Sequence, residues 1–174
     1  RYNVCQHNID LIHHTLVINS VRSIDELLDG VEHEDDIPFW AELWPSALGL
    51  ASYLWEGEDR KGQRILELGC GVGLCSIVGA LKGGHVLATD RFHEALEFAR
   101  HNAQANNVGP ENIEFAKVDW RHWQINDRYH LIIGSEILYE PKLHPNLQHI
   151  LNTCLEPSGK AIIADPGRKY AQNF

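Results

Sequence analysis

The stretch Arg64-Ile65-Leu66-Glu67-Leu68-Gly69-Cys70-Gly71-Val72-Gly73-Leu74-Cys75-Ser76-Ile77-Val78 decides the fold. Its first five residues form a short, mostly apolar run of strand length. Three glycines then fall within five residues, so the backbone can turn sharply and approach a ligand without a Cβ in the way. From Leu74 a second apolar run reads as a helix to Leu81, closed by Gly83-Gly84. Downstream the alternation repeats: strand 85–89, helix 93–106, strands 113–118 and 131–134, helix 145–155, a turn at 156–159 and strand 160–164. Upstream, Pro45 opens a helix with Ala47, Leu48, Leu50, Ala51 and Leu54 on its apolar face, ended by Gly57. Ser23-Ile24-Asp25-Glu26 reads as a capping box starting a short helix to Asp29 before Gly30. Residues 11–21, with His13-His14 among them, read as a strand paired with 2–10. Strands alternating with helices imply an α/β, Rossmann-like three-layer sandwich with a mostly parallel sheet and right-handed crossovers. Ligands bind such sheets beyond the carboxyl ends of the strands, where strand order reverses.

Composition narrows the classes. At 174 residues the chain is read as one domain, with 1–44 as an N-terminal extension and 45–174 as the core. A net charge of −9 weighs against a nucleic-acid groove, which needs clustered Lys and Arg. The acidic run Glu32-His33-Glu34-Asp35-Asp36 reads as a solvated loop. No apolar run reaches the length of a membrane span, and no secretory h-region opens the chain. Cys5, Cys70, Cys75 and Cys154 form no C-x-x-C pair, and the 11 histidines show no metal-ligand spacing. A reducing, cytoplasmic setting and no metal are therefore expected. The chain begins at Arg1 and contains no methionine, which suits a fragment, a processed chain or one with residues missing.

The loop also indicates a cofactor. Asp90 ends the strand that follows it, where a carboxylate can accept from both ribose hydroxyls. A dinucleotide site wants G-x-G-x-x-G, but Leu74 stands at the last glycine's place. Glu67, two residues before Gly69, would set negative charge beside a pyrophosphate. It suits instead a cofactor with a sulfonium and an ammonium, so electrostatics favours S-adenosyl-L-methionine (AdoMet) over NAD. A ligand-free turn stays open as the alternative.

Glu67-Leu68-Gly69-Cys70-Gly71-Val72-Gly73 resembles motif I of class I AdoMet-dependent methyltransferases. Residues 12–167 further resemble methyltransferase family 16, which includes protein-lysine methyltransferases and nicotinamide N-methyltransferase-like proteins. Phe39-Trp40-Ala41-Glu42-Leu43-Trp44-Pro45 is similar to the segment ahead of motif I, whose tryptophan lies by the cofactor. Asp119-Trp120 matches the pair that meets the adenine, and Ser135-Glu136-Ile137-Leu138-Tyr139 the [D/E]-x-x-[Y/F] element after the fourth strand. The resemblance implies a cofactor set of Trp44, Glu67, Gly69, Gly71, Gly73, Asp90 with Arg91 beside it, Asp119, Trp120 and Ser135. It implies Glu136 and Tyr139 as the catalytic pair. Asp119 also reads as a strand-end cap, Tyr139, Trp44 and Trp120 also as core aromatics, and Trp40 as core. Asp165-Pro166-Gly167-Arg168 is similar to a stretch of some members, shaping the acceptor mouth or making an ordinary turn. Class I enzymes continue into a further helix and an antiparallel strand pair, so the resemblance implies a chain cut short at its C-terminus.

Methyl transfer from sulfonium is an in-line displacement, so the protein supplies alignment and a deprotonated nucleophile. Glu136 suits orienting an amine and stabilising charge on its nitrogen, with Tyr139 bounding the acceptor channel. Many members carry Asp at the place of Glu136, and those with Glu include a protein-histidine methyltransferase. The resemblance therefore implies N-methylation of a protein side chain, lysine first. A small-molecule nitrogen and an idle AdoMet-binding module stay as rivals. RNA is disfavoured by the charge and by the lack of an [N/D]-P-P-[Y/F] element to stack a flipped base.

Overall fold

The computed structural model describes residues 2–29, 31–33 and 36–174. The helix stop at Gly30 and the Glu34-Asp35 part of the acidic run lie outside the described residues. An antiparallel hairpin comes first, β1 (Val4–Leu11) and β2 (His14–Val21), paired from Val4↔Val21 to Leu11↔His14. Helix α1 (Pro45–Glu56) leads into β3 (Arg64–Leu68), α2 (Leu74–Leu81), β4 (His85–Asp90), α3 (His93–Ala105) and β5 (Ile113–Lys117). Then follow β6 (Tyr129–Ser135), α4 (His144–Cys154) and β7 (Leu155–Ala164). The sheet runs β5-β4-β3-β6-β7 with every neighbouring pair parallel.

Alternation along the central strands sorts the core. Ile65, Leu131 and Ile133 face a core shared with α1, α2, α3 and the hairpin, through Leu54, Ile77, Ala99 and Leu16. Leu66, Leu68 and Ile132 face the other side, against Leu147 and Ile150 of α4. The three layers of the Rossmann-like reading are thus present. Glu67 falls between two apolar core positions and is 1% exposed.

Three local expectations are corrected. Residues 11–21 are not one strand: the chain turns at Ile12-His13, and His13 sits at φ 60. Apolar alternation runs through the turn without Gly or Asn, and histidine is among the side chains that tolerate the left-handed region. The capping box is half formed. Ser23 accepts from Asp25 N and begins only a 3-10 turn, Ile24–Leu27, while Glu26 is taken by Asn3 Nδ2 at 2.8 Å. Residues 156–159 are an irregularity inside β7 and not a separate turn. Tyr129 pairs with Leu155 and Leu131 with Lys160, so the extra residues bulge from the strand, where Pro157 costs no ladder hydrogen bond.

Two asparagines fasten the hairpin to α3. Asn102 of α3 is fully buried; its Oδ1 accepts from Asn19 N at 2.9 Å and Asn19 Nδ2 at 3.1 Å. Its Nδ2 donates to Asn19 O and to Val72 O of the glycine loop, both at 2.9 Å. One helical turn on, Asn106 pairs in the same way with Val17 N and O at 2.9 and 2.8 Å. The two amides serve the edge of β2 as a neighbouring strand would. Replacing Asn102 by Ala strands three backbone groups in the interior. A loss of about 3–5 kcal/mol is expected, read as a shift in the urea unfolding midpoint.

Candidate active site

The sheet divides between β3 and β6. After β3 the chain crosses to α2 and β4, and after β6 it turns the other way towards α4 and β7. The loops after these neighbouring strands diverge and open a cleft of about 350 Å³ at their carboxyl ends. Trp44, Glu67, Gly69, Gly71, Asp90, Arg91, Asp119, Trp120, Ser135, Glu136 and Tyr139 all line it. Gly73 does not. At φ 89, a Cβ there would come within 2.8 Å of Ala99 Cβ, so this glycine seats the start of α2 on α3.

The loop holds its shape through backbone contacts. Cys70 N donates to Thr89 O at 2.9 Å, carrying the β3–β4 pairing past the strand end, and Gly73 N donates to Cys70 O at 2.8 Å. Gly69 stands at φ 68, where a side chain would be strained and would press on Ile137 at 3.1 Å and Trp120 at 3.4 Å. The bend therefore leaves open a cradle that a Cβ would fill.

Two carboxylates are buried at its floor. Asp90 Oδ2 accepts from Gly71 N and Oδ1 from Phe92 N, both at 3.0 Å. Burial raises its carboxyl above the ordinary range, against the backbone donors and Arg91. Glu67 accepts from the hydroxyl of Ser76, itself fully buried on α2. Burial pushes Glu67 up to about 8, with the Ser76 bonds pulling down and nearby Asp90 pushing up. This donor set lacks a cation and fits a ligand that brings one, as the AdoMet reading requires. Among the described residues, no group of three or more His, Cys, Asp and Glu is placed to hold a metal ion.

Around the floor, Asp119 caps the 3-10 turn Trp120–His122, accepting from Arg121 N at 2.9 Å and pairing with the Arg121 guanidinium at 2.6 Å. That guanidinium lowers its carboxyl. The strand-end cap is thus formed, and the carboxylate is engaged on both oxygens. Trp44 donates Nε1–H to Phe39 O at 2.7 Å and lies edge-on to Phe39. Trp40 is buried against Tyr2 and Phe98, as a core residue. Arg91 reaches out to Asp36 at 3.3 Å.

At the other end of the cleft Glu136 stands at φ 57, only 8% exposed, with its own N–H on Ala164 O at 2.8 Å. Its carboxylate accepts from Ser46 N, in the first turn of α1, at 3.3 Å and from the Arg168 guanidinium. Tyr139 is 38% exposed and edge-on to Phe39, a wall of the mouth and not a core aromatic. Sequence reasoning missed Ser76, and named Phe39 and Arg168 only within the stretches 39–45 and 165–168, the latter as one reading of the acceptor mouth. A buried serine in the apolar run Leu74–Leu81 was a legible signal for the first. Arg168 lies 32 residues from Glu136, and no local spacing joins them.

Glu67 makes the cleft sensitive to pH. Its folded carboxyl holds a proton up to about pH 8, whereas the unfolded one releases it near 4.5. The stability carried by that proton is complete below about pH 4.5 and is lost as pH rises towards 8. A cation selects the ionised form, so its affinity should climb with pH over the same window and its binding should release a proton. Calorimetry with AdoMet at pH 7 in two buffers of unlike ionisation enthalpy should show this release. Glu67→Gln should abolish it; equal proton release by the two proteins would count against the assignment.

Comparison with known proteins adds a family. A family model described as lysine methyltransferase matches residues 28–173. The Danio rerio protein named electron transfer flavoprotein beta subunit lysine methyltransferase is 33% identical over 134 residues, covering 75% of this chain and 51% of that protein. The Mus musculus EEF1A lysine methyltransferase 3 is 34% identical over 134 residues, covering 74% and 56%. The chain spans about half the length of the curated relatives it matches. Among solved structures, the T. thermophilus 16S rRNA N2 G1207 methyltransferase RsmC, in complex with AdoMet and guanosine, superposes with a TM-score of 0.72. It is 16% identical and the match covers 98% of this chain and 44% of that one, a likeness of fold alone. With the glycine bend, the buried acid pair and the strand order now in place, the chain belongs to the lysine methyltransferase family.

Proposed function

We propose that this chain is the catalytic part of an AdoMet-dependent methyltransferase that N-methylates a protein side chain, lysine first. The observation that carries the reading is the acid pair Glu67 and Asp90, buried around a glycine bend that leaves the floor open. Kinship with proteins named as lysine methyltransferases supports the acceptor class. The four free cysteines fit a reducing compartment, which favours the cytoplasm.

When bound, AdoMet supplies a methyl group on a sulfonium, which an amine displaces in line. In this reading Glu67 faces the positive charge of the methionine portion. Asp90 accepts from the ribose, since three backbone N–H groups, of Gly71, Phe92 and Arg91, leave its carboxylate one further lone pair. Trp120 lies close against the Gly69 bend and bounds the adenine, with Asp119, Ser135 and Arg91 around it. Trp44, Phe39 and Tyr139 form an aromatic lip. Such faces accept an alkyl chain ending in nitrogen and exclude water from it. Glu136 receives an N–H of the amine and stabilises charge as the new bond forms.

Incubating the chain with methyl-labelled AdoMet and a cell extract, then digesting with protease or nuclease, tests the proposal. Label in protease-sensitive material with methyl-lysine on hydrolysis is the expected result. Label confined to small metabolites, or binding with no transfer, would overturn it. Asp90→Ala should weaken AdoMet binding by about 10-fold or more, because hydrogen bonds to a charged acceptor are lost. Glu136→Gln should instead slow transfer by about 10–100-fold with AdoMet affinity within about twofold.

A further inference from the structure

Glu136 does not meet the cleft alone. The segment after β7 folds back on itself: Asp165 Oδ1 accepts from Gly167 N at 2.8 Å and Arg168 N at 2.7 Å, with Gly167 at φ 90. This tight turn aims Arg168 inwards. Its Nη1 donates to Asp165 Oδ2 at 3.0 Å, and its Nη2 donates to Glu136 Oε2. One guanidinium thus bridges two carboxylates whose side chains are each 7% exposed, while Arg168 itself is 31% exposed and lines the cleft. The fork is planar and always charged, so it fixes an angle as well as a distance.

From this arrangement we infer that Arg168 is a positioning residue: it clamps the Glu136 carboxylate against the first turn of α1 and so fixes the direction from which the acceptor nitrogen is received. The inference rests on the methyltransferase reading above. Two facts favour a clamp over a counter-ion that the acceptor displaces. Arg168 is held from behind by Asp165 through both its backbone N–H and its side chain. Its departure would also leave two nearly buried carboxylates without their cation, which is costly. Glu136 keeps capacity while clamped. Its oxygens each spend one lone pair, on Ser46 N–H and on Arg168, and each retains another for an amine N–H.

The test compares Arg168→Gln, Arg168→Lys, Glu136→Gln and the double Glu136→Gln/Arg168→Gln by initial rate of label transfer to extract protein at saturating AdoMet. Arg168→Gln should lose about 10-fold or more in rate with the AdoMet Kd within about twofold, and Arg168→Lys should recover part of the loss. The double variant should be no slower than the slower single, because both remove the same interaction. A faster Arg168→Gln enzyme, an Arg168→Lys enzyme as slow as Arg168→Gln, or losses that multiply in the double would overturn the clamp. If Arg168→Gln does not fold, Asp165→Asn takes its place, with an expected loss of about 2–5-fold; an unchanged rate counts against the clamp. If the unaltered chain transfers no label, the functional reading fails. The clamp is then judged by urea midpoints alone, with shifts that fail to add in the double supporting it and additive shifts refuting it.

Discussion

Two carboxylic acids lie buried at the ends of adjacent parallel strands, and the organisation of the cleft answers to them. Glu67 shares its face of β3 with the core residue Ile65, and Asp90 stands one residue beyond the β4 partner of Leu68. Hydrophobic burial cannot accommodate such a pair without donors. The fold supplies the hydroxyl and backbone N–H of Ser76 for one and three backbone amides for the other. None of these donors carries a full positive charge, so the floor of the cleft favours whatever brings one. The glycine bend is the other half of the same arrangement, since it removes the side chains that would otherwise fill the space above the acids.

This is why the floor was legible in the sequence. Strand, bend and helix are each local, and Glu67, Gly69, Gly71 and Asp90 are placed by the register of two short strands. Gly73 illustrates the limit. Its spacing groups it with the ligand-facing glycines, yet its role depends on Ala99, a residue on another helix. The hairpin was misread for a related reason: its turn is made by Ile12-His13 without a turn signature, and what holds it is a pair of asparagines more than 80 residues away. A capping box likewise describes one turn of chain, and Asn3 intervened from outside it.

Asn102 shows how the distant parts are joined. Its amide reaches the backbone of β2 on one side and Val72 of the glycine bend on the other. An otherwise separate two-stranded sheet thereby shares a fastening with the ligand-facing loop. Tyr2 and Trp40, packed on Phe98 of the same helix, extend the connection to the segment that carries Trp44. The N-terminal region is therefore coupled to the cleft through α3, although none of its described residues joins the main sheet.

The two ends of the cleft are built on different principles. At the floor, backbone geometry sets the positions, and few side-chain choices satisfy it. At the mouth, Phe39 and Trp44, Glu136 and Tyr139, and Asp165 and Arg168 come from three segments far apart in the chain: the last two pairs meet because β6 and β7 end side by side, and the first joins them through Phe39 on Tyr139 and Ser46 N on Glu136. Glu136 accepts a left-handed backbone to reach the cleft, which costs about 1–2 kcal/mol for a residue with a Cβ and must be offset by its contacts. Those contacts are long-range and charged, so no periodicity announces them. On the proposed reading, the Glu136–Arg168–Asp165 constellation and the aromatic lip meet the acceptor, and the glycine bend meets the cofactor.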